Sequence, residues 1–383
     1  MFEQASSPAP SSQSFTSTPA ATPVAAPRAR RSPARAHRSA FESHVEQTAE
    51  RLEAWRICLD EHDRLNAARA TGVMASDPDR VAWTHAPVFF GFLDDCHAEL
   101  ESLVEELDAD EQSRAGEKLR ARLLPWLKQS TFLARTIERP RGYAGDAEMM
   151  RMIYERAYVG PTSFAKLLHR HPIESDAAQA VRNRRELIPH LLGEVEQRLG
   201  SRTDPLRVLS VACGPAWELR DLYRCATDTA RFRCTLLDQD AEALETARAG
   251  MHAIEQAFGR PVGATFVNRS VKDLLRSAET RASLGRFHFV YSMGLYDYLP
   301  ANVARALTQH LYDLLEPGGT LVIGNYHVGN PTRSYMKYWM NWPLEYRTEG
   351  QLLALAPATE GARASLSFDE TRAQMFLRVD RGA

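Results

Sequence analysis

The segment Val208-Leu209-Ser210-Val211-Ala212-Cys213-Gly214-Pro215-Ala216-Trp217-Glu218-Leu219 constrains this chain more than any other. An apolar run of strand length meets a Gly-Pro break, and helix-forming residues follow. Such a run is how a strand buried on both faces of a parallel sheet reads. The glycine lets the backbone turn sharply and approach a ligand, and the helix start beyond it can seat a ligand's polar end. Cys234-Thr235-Leu236-Leu237-Asp238 is a second apolar run, ending in a carboxylate 24 residues after Gly214. In doubly wound sheets an acidic residue near that offset sits at a strand tip and binds ribose hydroxyls. Phe287-His288-Phe289-Val290-Tyr291 reads as another buried strand. Leu314 to Ile323 reads as a helix end, a Pro317-Gly318-Gly319 turn and a strand. The series predicts an α/β fold, a Rossmann-like sheet with helices on both faces.

With 383 residues the chain is long for one average domain and reads as two units plus a tail. Residues 1–39 are rich in Ala, Pro, Ser and Arg, a composition that buries too little apolar surface to offset its ordering entropy, so they read as a disordered tail. The same acid-poor, Arg-rich composition also suits an organelle transit peptide. Residues 40–172 carry helical periodicity and read as a helical N-terminal subdomain and lid; residues 173–383 hold the sheet. Within the helical part, Val45, Leu52, Trp55 and Cys58 form one stripe, Asp77-Pro78-Asp79 is a helix start, and a helix is expected over 112–135 with a break near Pro125. The formal charge of -2 and pI near 6.7 argue against a bulk nucleic-acid binder. Five cysteines without C-x-x-C pairing suggest neither disulfides nor a zinc site, so no metal is expected and a reducing cytoplasm fits. No apolar run approaches the ~20 residues of a membrane-spanning helix.

Several segments carry chemistry. Arg141-Gly142-Tyr143-Ala144-Gly145-Asp146 is a loop by its glycines; Asp146 can cap the next helix, over 147–158, or join Tyr143 in a lid over a bound ligand. Ala180-Val181-Arg182-Asn183-Arg184-Arg185-Glu186-Leu187, at the start of a helix, is either a solvated charge cluster or holds in Arg182 and Arg184 a pair of arginines able to bind a carboxylate bidentately. Tyr296, Asp297 and Tyr298 follow the strand at 287–291 as aromatic faces and an acceptor, or as a capped helix start. His327 ends the next strand as a structural histidine or a general base. Tyr335, Tyr338, Trp339, Trp342 and Tyr346 crowd an insertion between late strands, suited to core packing or to covering a pocket. Two final segments, Arg363–Phe368 and Gln374–Val379, read as a terminal hairpin.

The ordered series from Val208 to Ile323 resembles the class I S-adenosylmethionine-dependent methyltransferases. It departs from their first motif, with Ser210 at the acidic position and Ala212 and Ala216 at the outer glycine positions. The segments at 141–146 and 180–184, together with Gly294-Leu295-Tyr296-Asp297-Tyr298-Leu299 and Asn330-Pro331-Thr332-Arg333, look like a bacterial subgroup. That subgroup includes the synthase of methyl 3-hydroxypalmitate, a signal ester, and methionine S-methyltransferases. The resemblance implies S-adenosylmethionine as cofactor, held by Ala212, Gly214, Glu218, Asp238, Ser292 and Gly294, with Asn268 or the backbone near Ser270 and Val271 beside the adenine. It implies Tyr296, Asp297 and His327 as catalytic residues, with Tyr143, Asp146, Arg182, Arg184 and Tyr346 on the acceptor. The acceptor would be a small molecule: a 3-hydroxy fatty acid carboxylate, or alternatively the sulfur of methionine. A non-catalytic cofactor-binding module is the remaining alternative.

Overall fold

The computed structural model describes residues 33–69, 77, 79–105, 107–200 and 204–382. Seven helices come first: α1 (Pro33–Arg69), α2 (Arg80–Val104), α3 (Ala109–Leu127), α4 (Thr131–Glu138), α5 (Ala147–Glu155), α6 (Ser163–Glu174) and α7 (Asp176–Leu199). The sheet follows as β1 (Leu206–Val211), α8 (Trp217–Arg220), β2 (Phe232–Asp238), α9 (Ala241–Phe258), β3 (Gly263–Asn268), α10 (Val271–Arg276), α11 (Ala278–Leu284) and β4 (Phe287–Ser292). It ends with α12 (Ala301–Asp313), β5 (Leu315–Tyr326), α13 (Arg333–Tyr338), α14 (Glu349–Leu353), β6 (Ala362–Phe368) and β7 (Gln374–Arg381).

The tail expected over 1–39 lies outside the described residues as far as 32, but α1 already begins at Pro33. Proline suits a first helical position because the N–H it lacks would be unpaired there anyway. The break expected near Pro125 falls later, between Leu127 and Thr131. There the Ser130 side chain accepts the Leu133 N–H and starts α4 afresh. The helix expected to reach Tyr158 ends at Glu155, where Arg156 turns left-handed at φ 50°.

The seven strands run in the order β3-β2-β1-β4-β5-β7-β6, parallel except for β7, which is antiparallel to both its neighbours. Alternation along the strands sends side chains to two cores. Val208, Phe289 and Tyr291 pack with Ile188 and Leu192 of α7 and Leu244 of α9. Leu209, Val211 and Val290 pack on the other face with Leu307 and Leu311 of α12. Central β4 is buried throughout, as its apolar run requires. The Pro317-Gly318-Gly319 turn is instead part of continuous β5. Phe287 pairs with Leu315 and Phe289 with Thr320, so the turn is absorbed as a bulge with Gly318 at φ +75°.

A third core joins α1 to α7, and the segment after β5 packs into it through Tyr335, Tyr338 and Trp339. No helix among the described residues is long and apolar enough to cross a membrane.

Candidate active site

A cavity of about 520 Å³ opens at the C-terminal ends of β1, β2 and β4. Parallel sheets bind ligands there, where the strand order reverses, here between β1 and β4. The backbone leaving β1 builds its floor. Ala212, Gly214 and Ala216 all take left-handed conformations, with φ of 53°, 54° and 51°. An added Cβ at Gly214 would meet nothing within 4 Å, so glycine serves the backbone angle there rather than space. The two alanines adopt the same region at a cost of about 1–2 kcal/mol each. The alternating-glycine geometry thus persists with one glycine.

The tips of β1 and β2 are tied together at this floor. The Gly214 N–H donates to Asp238 Oδ2 at 2.8 Å, and the Asp240 N–H donates to Asp238 Oδ1 at 2.9 Å. Burial raises the Asp238 carboxyl above the usual range. Glu218, in the single turn of α8, accepts from the Tyr291 hydroxyl at 2.7 Å, and burial raises its carboxyl also. Cavity-lining Glu218 therefore places an acid near the β1 exit even though Ser210 occupies the strand position.

A loop closes this end. Tyr143 donates from its hydroxyl to Asp240 Oδ2 at 3.3 Å; Arg141 donates to the same oxygen at 3.0 Å and also pairs with Glu242 at the start of α9. Arg139 donates to the Asn341 carbonyl, anchoring the loop on the segment after β5. Further along the cavity, Arg184 donates to the Met293 carbonyl at 2.9 Å and lies over Gly294, where a Cβ would meet its guanidinium at 3.4 Å. Asp297 accepts the Tyr326 N–H at 2.7 Å, and burial pushes its carboxyl up to about 7. Much of the remaining wall is apolar, including Ile153, Val181, Met336, Met340, Trp342 and Leu344.

Of the sequence-derived residues, the cavity gathers Tyr143, Arg184, Ala212, Gly214, Glu218, Asp238, Gly294 and Asp297. The others lie elsewhere. Asn268 donates to the carbonyls of Asp238 and Gln239, bracing the β2 tip, while Arg269, Val271 and Lys272 line the cavity in its place. Ser292 is fully buried, its hydroxyl on the Val211 carbonyl. Tyr296 is fully buried against Thr308, and neighbouring Tyr298 faces the cavity, accepting the Trp342 indole N–H at 2.8 Å. His327 points to Glu349, sits edge-on to Phe368 and is not among the residues lining the cavity. Asp146 caps α5 through the Glu148 and Met149 N–H groups and pairs with Arg135. Arg182 bonds Gln179 and the Ile173 carbonyl, and Tyr346 contacts the Met336 sulfur; neither reaches the cavity.

Sequence reasoning missed Tyr154, Trp217 and Arg185. The two rings stack at 5.3 Å, and the guanidinium lies over both. Arg185 belongs to the arginine cluster at 180–187, whose pattern assigns it no role, and nothing in the sequence places Tyr154, over 60 residues earlier, against Trp217.

No protein-family model matches the chain, and no curated protein does. Solved structures match. A possible exported protein from Bordetella parapertussis aligns over 78% of this chain and 97% of its own, with 20% identity and a TM-score of 0.52. Magnesium protoporphyrin IX methyltransferase from Synechocystis PCC 6803, solved with bound SAH, aligns over 54% of this chain and 88% of its own, at 12% identity and a TM-score of 0.41. The fold is a Rossmann-like α/β fold, with the strand order β3-β2-β1-β4-β5-β7-β6. At such identities the likeness concerns the fold alone.

Proposed function

We propose that this chain is an S-adenosylmethionine-dependent methyltransferase acting on a small molecule with a carboxylate and an apolar chain, of the 3-hydroxy fatty acid kind. One observation carries the reading: a single cavity is lined by acidic groups at the β1 and β2 tips, by Arg184 and by an apolar wall. Asp238 keeps carboxylate lone pairs for ribose hydroxyls, Glu218 suits an ammonium, and the small residues at 212 and 214 leave room for a ligand along the backbone. When bound, the cofactor supplies an electrophilic methyl group on a sulfonium; the chain's part is orientation and electrostatics.

Arg184 is held by the Met293 carbonyl and by the Met150 sulfur, and its guanidinium lines the cavity as the cation for an acceptor carboxylate. A carboxylate is already a nucleophile at neutral pH, so this chemistry needs no base, which accords with His327 lying outside the cavity lining. Aligning two bound reactants can lower a barrier by about 7–11 kcal/mol. The apolar wall, shared by α5, α7 and the segment after β5, excludes water and takes up the acyl chain.

Methionine is the second reading, favoured by Asp297 beside Arg184, an acid and a base able to hold the two amino-acid ends. A methyl-transfer assay with labelled cofactor separates the two when 3-hydroxy fatty acids and methionine are offered in parallel. Label in an organic-extractable ester is the expected result; label held in a water-soluble sulfonium would replace the carboxylate reading. Absence of transfer to either would remove both.

A further inference from the structure

The helical layer contains a polar cluster unconnected with the cavity's chemistry. Asp94 and His97 stand one turn apart on α2, and His171 faces them from α6. One donor atom from each lies within 4.8 Å of the other two. His171 Nε2 is 2.9 Å from Asp94 Oδ1, while its Nδ1 faces the Tyr335 hydroxyl at 3.3 Å. The His97 ring stacks on Tyr335 at 3.8 Å, and its Nε2 is shielded from solvent with no hydrogen-bond partner among the described residues. A buried polar atom left unpaired needs an explanation, and an ion is one.

We propose that Asp94, His97 and His171 form a binding site for a divalent first-row transition ion of the Zn²⁺ type. Two imidazoles and one carboxylate suit borderline ions; with no thiolate the site does not favour soft ions, and with two nitrogens it does not favour Mg²⁺ or Ca²⁺. Three protein ligands would leave a position for water. Donors around a tetrahedral ion stand about 3.3 Å apart, a spacing that side-chain rotation reaches from the present one. The Tyr335 hydroxyl on His171 Nδ1 is the outer partner that fixes the ring of a ligating histidine. Cysteine spacing could not reveal such a site, because it uses no cysteine.

The site has a structural consequence. Pro172 and Met336, the chain neighbours of His171 and Tyr335, line the cavity, so the ion would brace α2, α6 and α13 behind its apolar wall.

The test uses the full chain, freed of metal by chelation and dialysis and titrated with Co²⁺. The expected result is one equivalent of saturable binding with visible d–d absorption, displaced by Zn²⁺, and a higher melting temperature with metal. Asp94→Asn changes a side chain that is 68% exposed, so it keeps the fold; it and Tyr335→Phe are each expected to weaken Co²⁺ binding by about 10–100-fold, read against unchanged circular dichroism. No saturable binding by the wild-type chain up to millimolar Co²⁺, or binding unaltered in Asp94→Asn, would overturn the site. His97→Gln adds a second check if it folds; if it does not, Asp94→Asn decides.

Discussion

Arg182 and Arg184 stand two residues apart on α7, so their side chains point to different surroundings. Arg182 turns to the Ile173 carbonyl and stabilises the helix junction, while Arg184 turns to the cavity. Arg184→Ala is therefore expected to raise the acceptor KM at least tenfold, with cofactor affinity unchanged. Arg182→Ala should lower the melting temperature and leave that KM alone; steady-state kinetics on both variants checks the pair, and the reverse pattern would exchange their roles.

Asp297 gives a pH dependence with a definite sign. Its carboxyl sits near 7 in the folded chain because burial disfavours the charge, against about 3.9 in an unfolded chain. Its contribution to stability is full below about pH 4 and is lost as pH rises through 7. Asn at this position still accepts the Tyr326 N–H without carrying charge. Asp297→Asn should therefore gain melting temperature relative to wild type by about 2 °C or more at pH 8, and gain less or lose at pH 5. Equal shifts at both pH values would contradict the burial argument.

Among the elements, the strands were the most legible, because buried parallel strands are short apolar runs. The tips of β1 and β2 followed from Gly214 and Asp238 for the same reason. The segment after β5 was not legible. Its aromatics have two jobs: Tyr335, Tyr338 and Trp339 pack in the helical core, while Trp342 packs there and also lines the cavity. A pattern of aromatics alone cannot assign faces when the partner helices lie hundreds of residues upstream. The loop at 139–146 meets this segment at Gly145, where a Cβ would come within 2.5 Å of the Trp342 ring and 2.8 Å of the Tyr298 hydroxyl. Gly145→Ala should push both rings and cut kcat/KM at least tenfold while Kd for the cofactor changes little. Unchanged kcat/KM would mean that the loop does not set the acceptor wall.

At the scale of the molecule, three separate stretches of chain converge on one cavity: the sheet tips, the helices from α5 to α7, and the segment beyond β5. Local patterns could identify the first, since each strand tip lies within its own motif. They could not identify the other two, because Arg184 reaches the Gly294 backbone only through packing of α7 on the sheet. The same gap explains His327 and Tyr296, which stand in suggestive local sequences and lie outside the cavity lining. Whether the β1 and β2 tips hold S-adenosylmethionine is decided by titration calorimetry of the full chain with that cofactor. One saturable site is expected in the wild type, weakened about 10–100-fold in Asp238→Ala as a charge-assisted hydrogen bond worth about 1.5–3 kcal/mol is lost. No saturable heat in the wild type, or equal affinity in a folded Asp238→Ala variant, would contradict that placement of the cofactor.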